Sequence, residues 1–100
     1  MVVLVSTSLR SNAKQDWSVY MILCSDQSLY TGISNDVERR FQQHLNKKGA
    51  KYFYSKKPLK IVYLENNHNR SSASQRECRI KKLTPIKKKN LLISPLNQLI

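Results

Sequence analysis

Tyr20, Tyr30, Arg40 and His44 fall close together in the chain, and their types suit one kind of chemistry, attack on a phosphodiester. A phenol can exchange a proton or hold a phosphate oxygen. A guanidinium offers a planar fork of donors to the charge that builds on a phosphate in its transition state. An imidazole exchanges a proton near neutral pH. Gly32, two residues past Tyr30, would let backbone approach a ligand closely. Each residue also has a plainer reading. Tyrosines are common in sheets, Arg40 could be a solvated helix residue, and His44 could sit at a core edge. Glu77 stands apart from the other acidic residues, because it falls between Ala73 and Ile80 on the inward side of a predicted helix. A carboxylate there must pair with a cation such as Arg40, Arg76 or Lys81, or bind a hard metal ion such as Mg2+ or Mn2+.

The elements that must position these groups follow from periodicity. Trp17–Leu23 alternates with period two, with Val19, Met21 and Leu23 on one face and Tyr20 and Ile22 on the other. Leu29–Ile33 is again β-branched and aromatic, and the Ser-Asp-Gln-Ser between the two runs has turn composition, which predicts a hairpin. Ser34-Asn35-Asp36 supplies capping side chains for a helix with Glu38 in its first turn. Val37, Phe41 and Leu45 recur at every fourth position and predict its buried stripe, with Arg40 and His44 flanking it. Gly49 is available to close that helix. A basic, aromatic loop, KYFYSKK, runs to Pro58, and Lys60–Glu65 reads as a third strand followed by a polar turn over Asn66–Arg70. Ser71 or Ser72 can cap a second helix reaching Leu83. Thr84-Pro85 starts a third that runs to Ile93. The order β-β-α-β-α-α predicts an α+β fold, a three-stranded antiparallel sheet flanked by helices. Residues 1–16 read as an N-terminal extension, 17–93 as the domain and 94–100 as a C-terminal tail.

A chain of 100 residues with 40% hydrophobic content is one globular domain with a modest core. No apolar run approaches the roughly 20 residues that span a bilayer. The opening MVVLV lacks a basic stretch before it, so no signal peptide and a cytoplasmic location are expected. Cys24 and Cys78 form no CxxC pattern and read as free thiols, and His44 and His68 add no zinc-ligand spacing. The charge is uneven: the total is +12, residues 17–45 carry net −1, and residues 46–100 carry net +12. Such asymmetry points to a polyanion, most simply nucleic acid. Arg39, Lys47, Lys48, Lys51, Lys56 and Lys57 are the candidate contacts. The run Lys87–Lys89 serves equally as such a contact or as a solvated helix face. Charge does not separate DNA from RNA.

Val19-Tyr20, Tyr30-Thr31-Gly32, Arg40, His44 and a later helix carrying Glu77 together resemble the GIY-YIG endonuclease superfamily. The likeness extends over about Trp17–Leu83. It is strongest to small stand-alone bacterial members, through LYTGISNDVERRFQQH, the following GAKY and the late ECRIKKLT. The resemblance implies a three-stranded antiparallel sheet flanked by helices and metal-assisted hydrolysis of a phosphodiester. It assigns the two signature tyrosines to Tyr20 and Tyr30, the glycine to Gly32, the helix arginine to Arg40, the position one turn on to His44, and the metal-binding glutamate to Glu77. One divalent ion, Mg2+ or Mn2+, and a DNA substrate, branched or damaged, are implied. A setting in repair or recombination and a protein partner supplying specificity accompany them. Which phenol takes the water's proton stays open, with Tyr30 preferred. Here the first signature is Ser18-Val19-Tyr20 and the second Tyr30-Thr31-Gly32, so both keep the tyrosine. Asn90 is the candidate for a late asparagine of the family. The alternative is a non-catalytic module that binds nucleic acid on the same fold.

Overall fold

The computed structural model describes residues 16–48 and 51–99. The extension expected over residues 1–16, apart from Asp16, and Gly49 lie outside them. The alternating run forms β1 (Trp17–Cys24), the central strand of an antiparallel sheet ordered β2-β1-β3, with β2 spanning Leu29–Ser34 and β3 spanning Pro58–His68. Tyr20 pairs with Gly32 on one side and Leu64 on the other. The β1–β2 turn closes through Gln27 in the left-handed region (φ 72°), while the Asp26 carboxylate accepts from the backbone N–H of Ser28 at 3.0 Å.

Alternation divides the core in two. Val19 and Met21 pack with Tyr63, Ala73 and Ile80 under α2 (Arg70–Lys81), and α3 (Pro85–Leu92) adds Leu91 and Leu92. Tyr20, Ile22 and Cys24 pack with Phe53 on the other face, under α1 (Val37–Leu45) and a 3-10 turn over Lys51–Tyr54. The sheet is thus covered on both faces, as the predicted order requires, and β2 is an outer strand with a helix on either side of it.

Three expectations are corrected. The buried stripe of α1 is Val37, Phe41 and His44: Leu45 is 40% exposed, while His44 is fully buried. The imidazole is drawn inward by a hydrogen-bond partner and an aromatic wall, which Leu45 could not use. The third strand does not end at Glu65. It continues to His68, opposite Trp17, through register shifts in the β1–β3 ladder and a positive φ at Asn67 (65°). The second helix is capped by Asn69, not by a serine. The Asn69 side chain accepts from the Ser72 N–H at 2.8 Å and the Ser72 hydroxyl accepts from the Asn69 N–H at 3.1 Å, a reciprocal box. The segment after α3 is anchored at Asn97 and Gln98, whose N–H donates to the Leu64 carbonyl at 2.8 Å. Asn97 is buried, accepts from the Leu64 N–H, and donates to the carbonyls of Val62 and Leu92 at 2.9 Å each. The start of α3 agrees with the sequence, with Thr84 as the cap and Pro85 in the first turn.

An ionic cluster holds α2 on β3. The Glu65 carboxylate accepts from the Tyr63 hydroxyl at 2.5 Å, the His68 Nε2 at 2.8 Å and the Arg76 Nε at 3.1 Å. Burial works to raise the Glu65 carboxyl, but the three donors outweigh it and hold it below the usual range. Arg76 is thereby fixed to the sheet, and its neighbour Glu77 is positioned with it.

Candidate active site

Tyr20, Tyr30, Gly32 and His44 converge on the sheet face under α1. The Tyr20 hydroxyl lies 2.9 Å from His44 Nε2. Ring centroids are 6.3 Å apart for Tyr20 and Tyr30 and 5.2 Å for Tyr30 and His44. Phe53 closes the floor at 4.7 Å from Tyr30 and 4.5 Å from His44. Tyr20 is 1% exposed, whereas Tyr30 is only partly buried.

Gly32 also has a steric reason that its sequence context did not show. It is not in a positive-φ conformation. A Cβ at this position would stand 2.6 Å from the Tyr20 hydroxyl oxygen, 2.7 Å from its Cζ and 3.0 Å from Tyr30 Cε2. The missing side chain makes room for the two tyrosines.

Electrostatics set the protonation states. Burial raises the Tyr20 phenol well above its ordinary value, with Tyr30 adding to the rise and Arg40 opposing it. Burial also raises Tyr30, with Lys81 and Arg40 pulling it down and Glu77 pushing it up. Burial first, and then the charge of Arg40, push His44 down to about 4. Both partners of the Tyr20–His44 bond are therefore neutral at pH 7. The phenol oxygen and Nε2 share one hydrogen bond, and Nδ1 has no partner among the described residues. A pH dependence of folding follows. In the unfolded chain His44 takes up a proton near pH 6.5, and in the folded protein only near pH 4. The unfolded state binds the extra proton between these values, so stability is full above pH 6.5 and falls as pH drops towards 4, by on the order of 2–3 kcal/mol. Urea unfolding between pH 7 and 4.5 is expected to show this slope in the wild type and to lose it in His44→Gln. An equal slope in both would refute the assignment.

Arg40 and Glu77 approach from opposite sides of the sheet. Arg40 is half-buried on α1, and its Nη1 donates to Gln43 Oε1 at 2.9 Å. Glu77 is on α2, its side chain 21% exposed, paired with Lys81 Nζ at 3.1 Å, one of the partners the sequence allowed. Because β2 is an outer strand, groups from α1 and α2 can meet across it, and the charges of both Arg40 and Glu77 act on both phenols. No group of three or more His, Cys, Asp or Glu side chains is arranged to cage a metal among the described residues. Glu77 is thus a single carboxylate, and that donor set fits a hard cation completed by water and phosphate oxygens better than a zinc-type site.

A family model described as the GIY-YIG catalytic domain matches residues 16–90. The chain belongs to the GIY-YIG family. Relatives include a UPF0213 protein of Desulfotalea psychrophila, 44% identical over 77 residues that cover 76% of this chain and 70% of the relative. A UPF0213 protein of Clostridium perfringens is 46% identical over 76 residues, covering 76% and 82%. The solution NMR structure of a UPF0213 protein from Bacillus halodurans superposes with a TM-score of 0.52 at 32% identity, covering 83% of this chain and 88% of that one. The sheet with flanking helices is therefore a GIY-YIG-like fold, and membership places the protein among nuclease-type catalytic domains.

The basic residues of this GIY-YIG domain do not form one patch. Lys47, Lys56 and Lys57 line a cleft of about 320 Å³ beside His44 and Phe53. Lys56 is also tied at 3.1 Å to Asp26 and at 3.3 Å to the Tyr52 hydroxyl. Lys48 and Lys51 are exposed nearby in the chain, and Arg39 lies on the other side of α1, in a separate cleft with Arg40. Asn90 is exposed on α3. Sequence reasoning missed Phe53 and Tyr52 as parts of the site wall, although the aromatic run KYFYSKK carried the signal. It also missed Arg70 and Trp17, whose pairing depends on the strand extension. Among the described residues no helix is long and apolar enough to cross a membrane.

Proposed function

We propose that the protein is a divalent-metal-dependent DNA endonuclease, acting on branched or damaged substrates of repair or recombination. The observation that carries this reading is the convergence of an accessible phenol, Tyr30, with Arg40 and Glu77 across the edge of β2, on a chain of net charge +12. Arg40 would hold the non-bridging oxygens of the scissile phosphate, its fork matching their geometry. Glu77 would hold one Mg2+ or Mn2+, exchanging Lys81 for it. Bound there, the cation supplies positive charge to the phosphate and the leaving oxygen. Tyr30 at neutral pH is a neutral phenol, suited to orient the attacking water. To accept the water's proton it must first lose its own, and Arg40 and Lys81 favour that loss. The Tyr20–His44 bond braces the wall behind it. Lys47, Lys48, Lys51, Lys56, Lys57 and Arg39 would draw and hold the phosphate backbone, aided by a protein partner where specificity demands it.

The test is nicking of flapped, branched and nicked DNA with Mg2+ or Mn2+. Wild type is expected to cut at a rate that climbs with pH above neutrality, and Tyr30→Phe to be slower by about 100-fold or more. Equal rates for the two would mark the activity as contamination. Tight, salt-sensitive binding without cleavage on any substrate would identify a nucleic-acid-binding module instead.

A further inference from the structure

A second cleft, of about 390 Å³, opens where β2 ends beside the start of β1, between α1 and the start of α2. Arg39, Arg40 and Arg70 line it, together with Asn35, Gln43 and Trp17. Trp17 packs in part against the core under α2 and is otherwise open to the cleft. The Arg70 guanidinium stands over the indole at 5.6 Å from its centroid. That distance is within cation–π range, yet it is wider than direct stacking. A planar base inserted between indole and guanidinium needs two stacking intervals of about 3.4 Å each, about 7 Å in all. Arg70 is exposed and makes no ion pair among the described residues, so a shift of little more than an ångström makes the room.

The cleft is continuous with the site already described, because Arg40 belongs to both. The helix sets the spacing. Arg70, Ser74, Glu77 and Lys81 recur at intervals of four, three and four residues, so they share one stripe of α2. Arg70 and Glu77 are seven residues apart, about 10.5 Å along the axis. At about 3.4 Å per nucleotide, that is about three steps from the phosphate at Glu77, and fewer along an extended strand.

We infer that Trp17 and Arg70 form a stacking clamp for an unpaired DNA base about one to three nucleotides from the scissile phosphate, with Arg40 on that phosphate and Arg39 on the intervening backbone. The clamp rests on the nuclease reading of the Tyr30–Arg40–Glu77 site for its place on the substrate, and it narrows the substrate to DNA that carries a single-stranded segment beside the cut. A fully paired base cannot enter, because both of its faces are already stacked. Stacking on an aromatic ring with a guanidinium above is a sequence-tolerant way to hold a strand.

Trp17 is the sole tryptophan of the chain, so its fluorescence reports on this site alone. Titration with a short single-stranded DNA in EDTA is expected to quench it, while a blunt duplex bound to the same extent by anisotropy leaves it nearly unchanged. Trp17→Ala is expected to weaken single-strand binding about 5- to 100-fold, with duplex binding within twofold and Trp17→Phe in between. Arg70→Ala, at an exposed position, is expected to weaken single-strand binding without altering the fold. Single-strand binding with unchanged fluorescence in the wild type would overturn the clamp, whether or not the alanine variant folds. So would equal losses for both DNA forms, or quenching by single-stranded RNA at concentrations where DNA gives none. Quenching without cleavage of any substrate would leave the clamp standing and refute the nuclease reading. Cleavage without quenching would refute the clamp alone.

Discussion

Gly32→Ala is expected to lower the melting temperature by about 10–25 °C and to disable the site with it. The new Cβ would lie 2.6 Å and 2.7 Å from the Tyr20 hydroxyl oxygen and Cζ, distances at which something must move. Tyr20 cannot yield cheaply. It is 1% exposed, packed with Ile22 and Phe53, and its hydroxyl is bonded to His44 at 2.9 Å. Retreat of the ring breaks that bond and leaves the buried imidazole without its partner. Overpacking of a core costs about 1–3 kcal/mol, and a buried polar group left unpaired costs about 1–3 kcal/mol more. A loss of about 2–4 kcal/mol, the lower part of that combined range, converts to about 8–32 °C at about 4–8 °C per kcal/mol for a domain of this size, which brackets the stated shift. Thermal melting followed by circular dichroism measures it. Combining Gly32→Ala with Tyr20→Phe should recover only part of the loss, because the 2.7 Å contact to Cζ remains. An unchanged melting temperature in the single variant would mean that Tyr20 is not pinned as described.

Glu77→Gln should separate activity from folding. Its ion pair with Lys81 is on a helix surface with the lysine 53% exposed, and such pairs contribute about 0.3–0.5 kcal/mol. Melting should therefore move by no more than a few degrees. Under the proposed mechanism the same change removes the one carboxylate available to the cation. Loss of a cation's charge stabilisation is worth several kcal/mol in the transition state, so nicking should fall by about a thousandfold or more. DNA binding in EDTA should be unchanged or tighter, since a negative charge has been removed from the path of the backbone. Nicking at wild-type rates by Glu77→Gln would rule out the metal role of this residue.

The elements were legible where local signals agreed. The alternation in Trp17–Leu23, the turn residues before Leu29, and Thr84 followed by Pro85 each depend on neighbours in the chain, and each appears in the structure. Less legible were the boundaries decided by distant partners. Residues 66–68 have turn composition, yet pairing with the start of β1 holds them in the sheet. Asn97, in the predicted C-terminal tail, carries no local signal of its four backbone partners, the N–H groups of Leu64 and Leu99 and the carbonyls of Val62 and Leu92.

The candidate site divides in the same way. Its residue types, Tyr20, Tyr30, Gly32, Arg40, His44 and Glu77, could be named from the sequence because their spacing follows strand and helix periods, and because the signature extends along most of the chain. Their burial could not. Periodicity treats Leu45 and His44 as near neighbours on one helix, and only the pocket formed by Tyr20 and Phe53 decides that the imidazole is the buried one. Tyr20 and Tyr30 look equivalent in sequence, and only packing seals the first and leaves the second partly buried. The amino-acid sequence by itself determined the order of elements, the basic second half and the inventory of reactive groups, since these depend on local pattern and composition. The tertiary structure alone decided the burial of His44, the close fit of Gly32 against Tyr20 and the meeting of Trp17 with Arg70. Burial, steric contact and desolvation arise only when segments far apart in the chain are brought together.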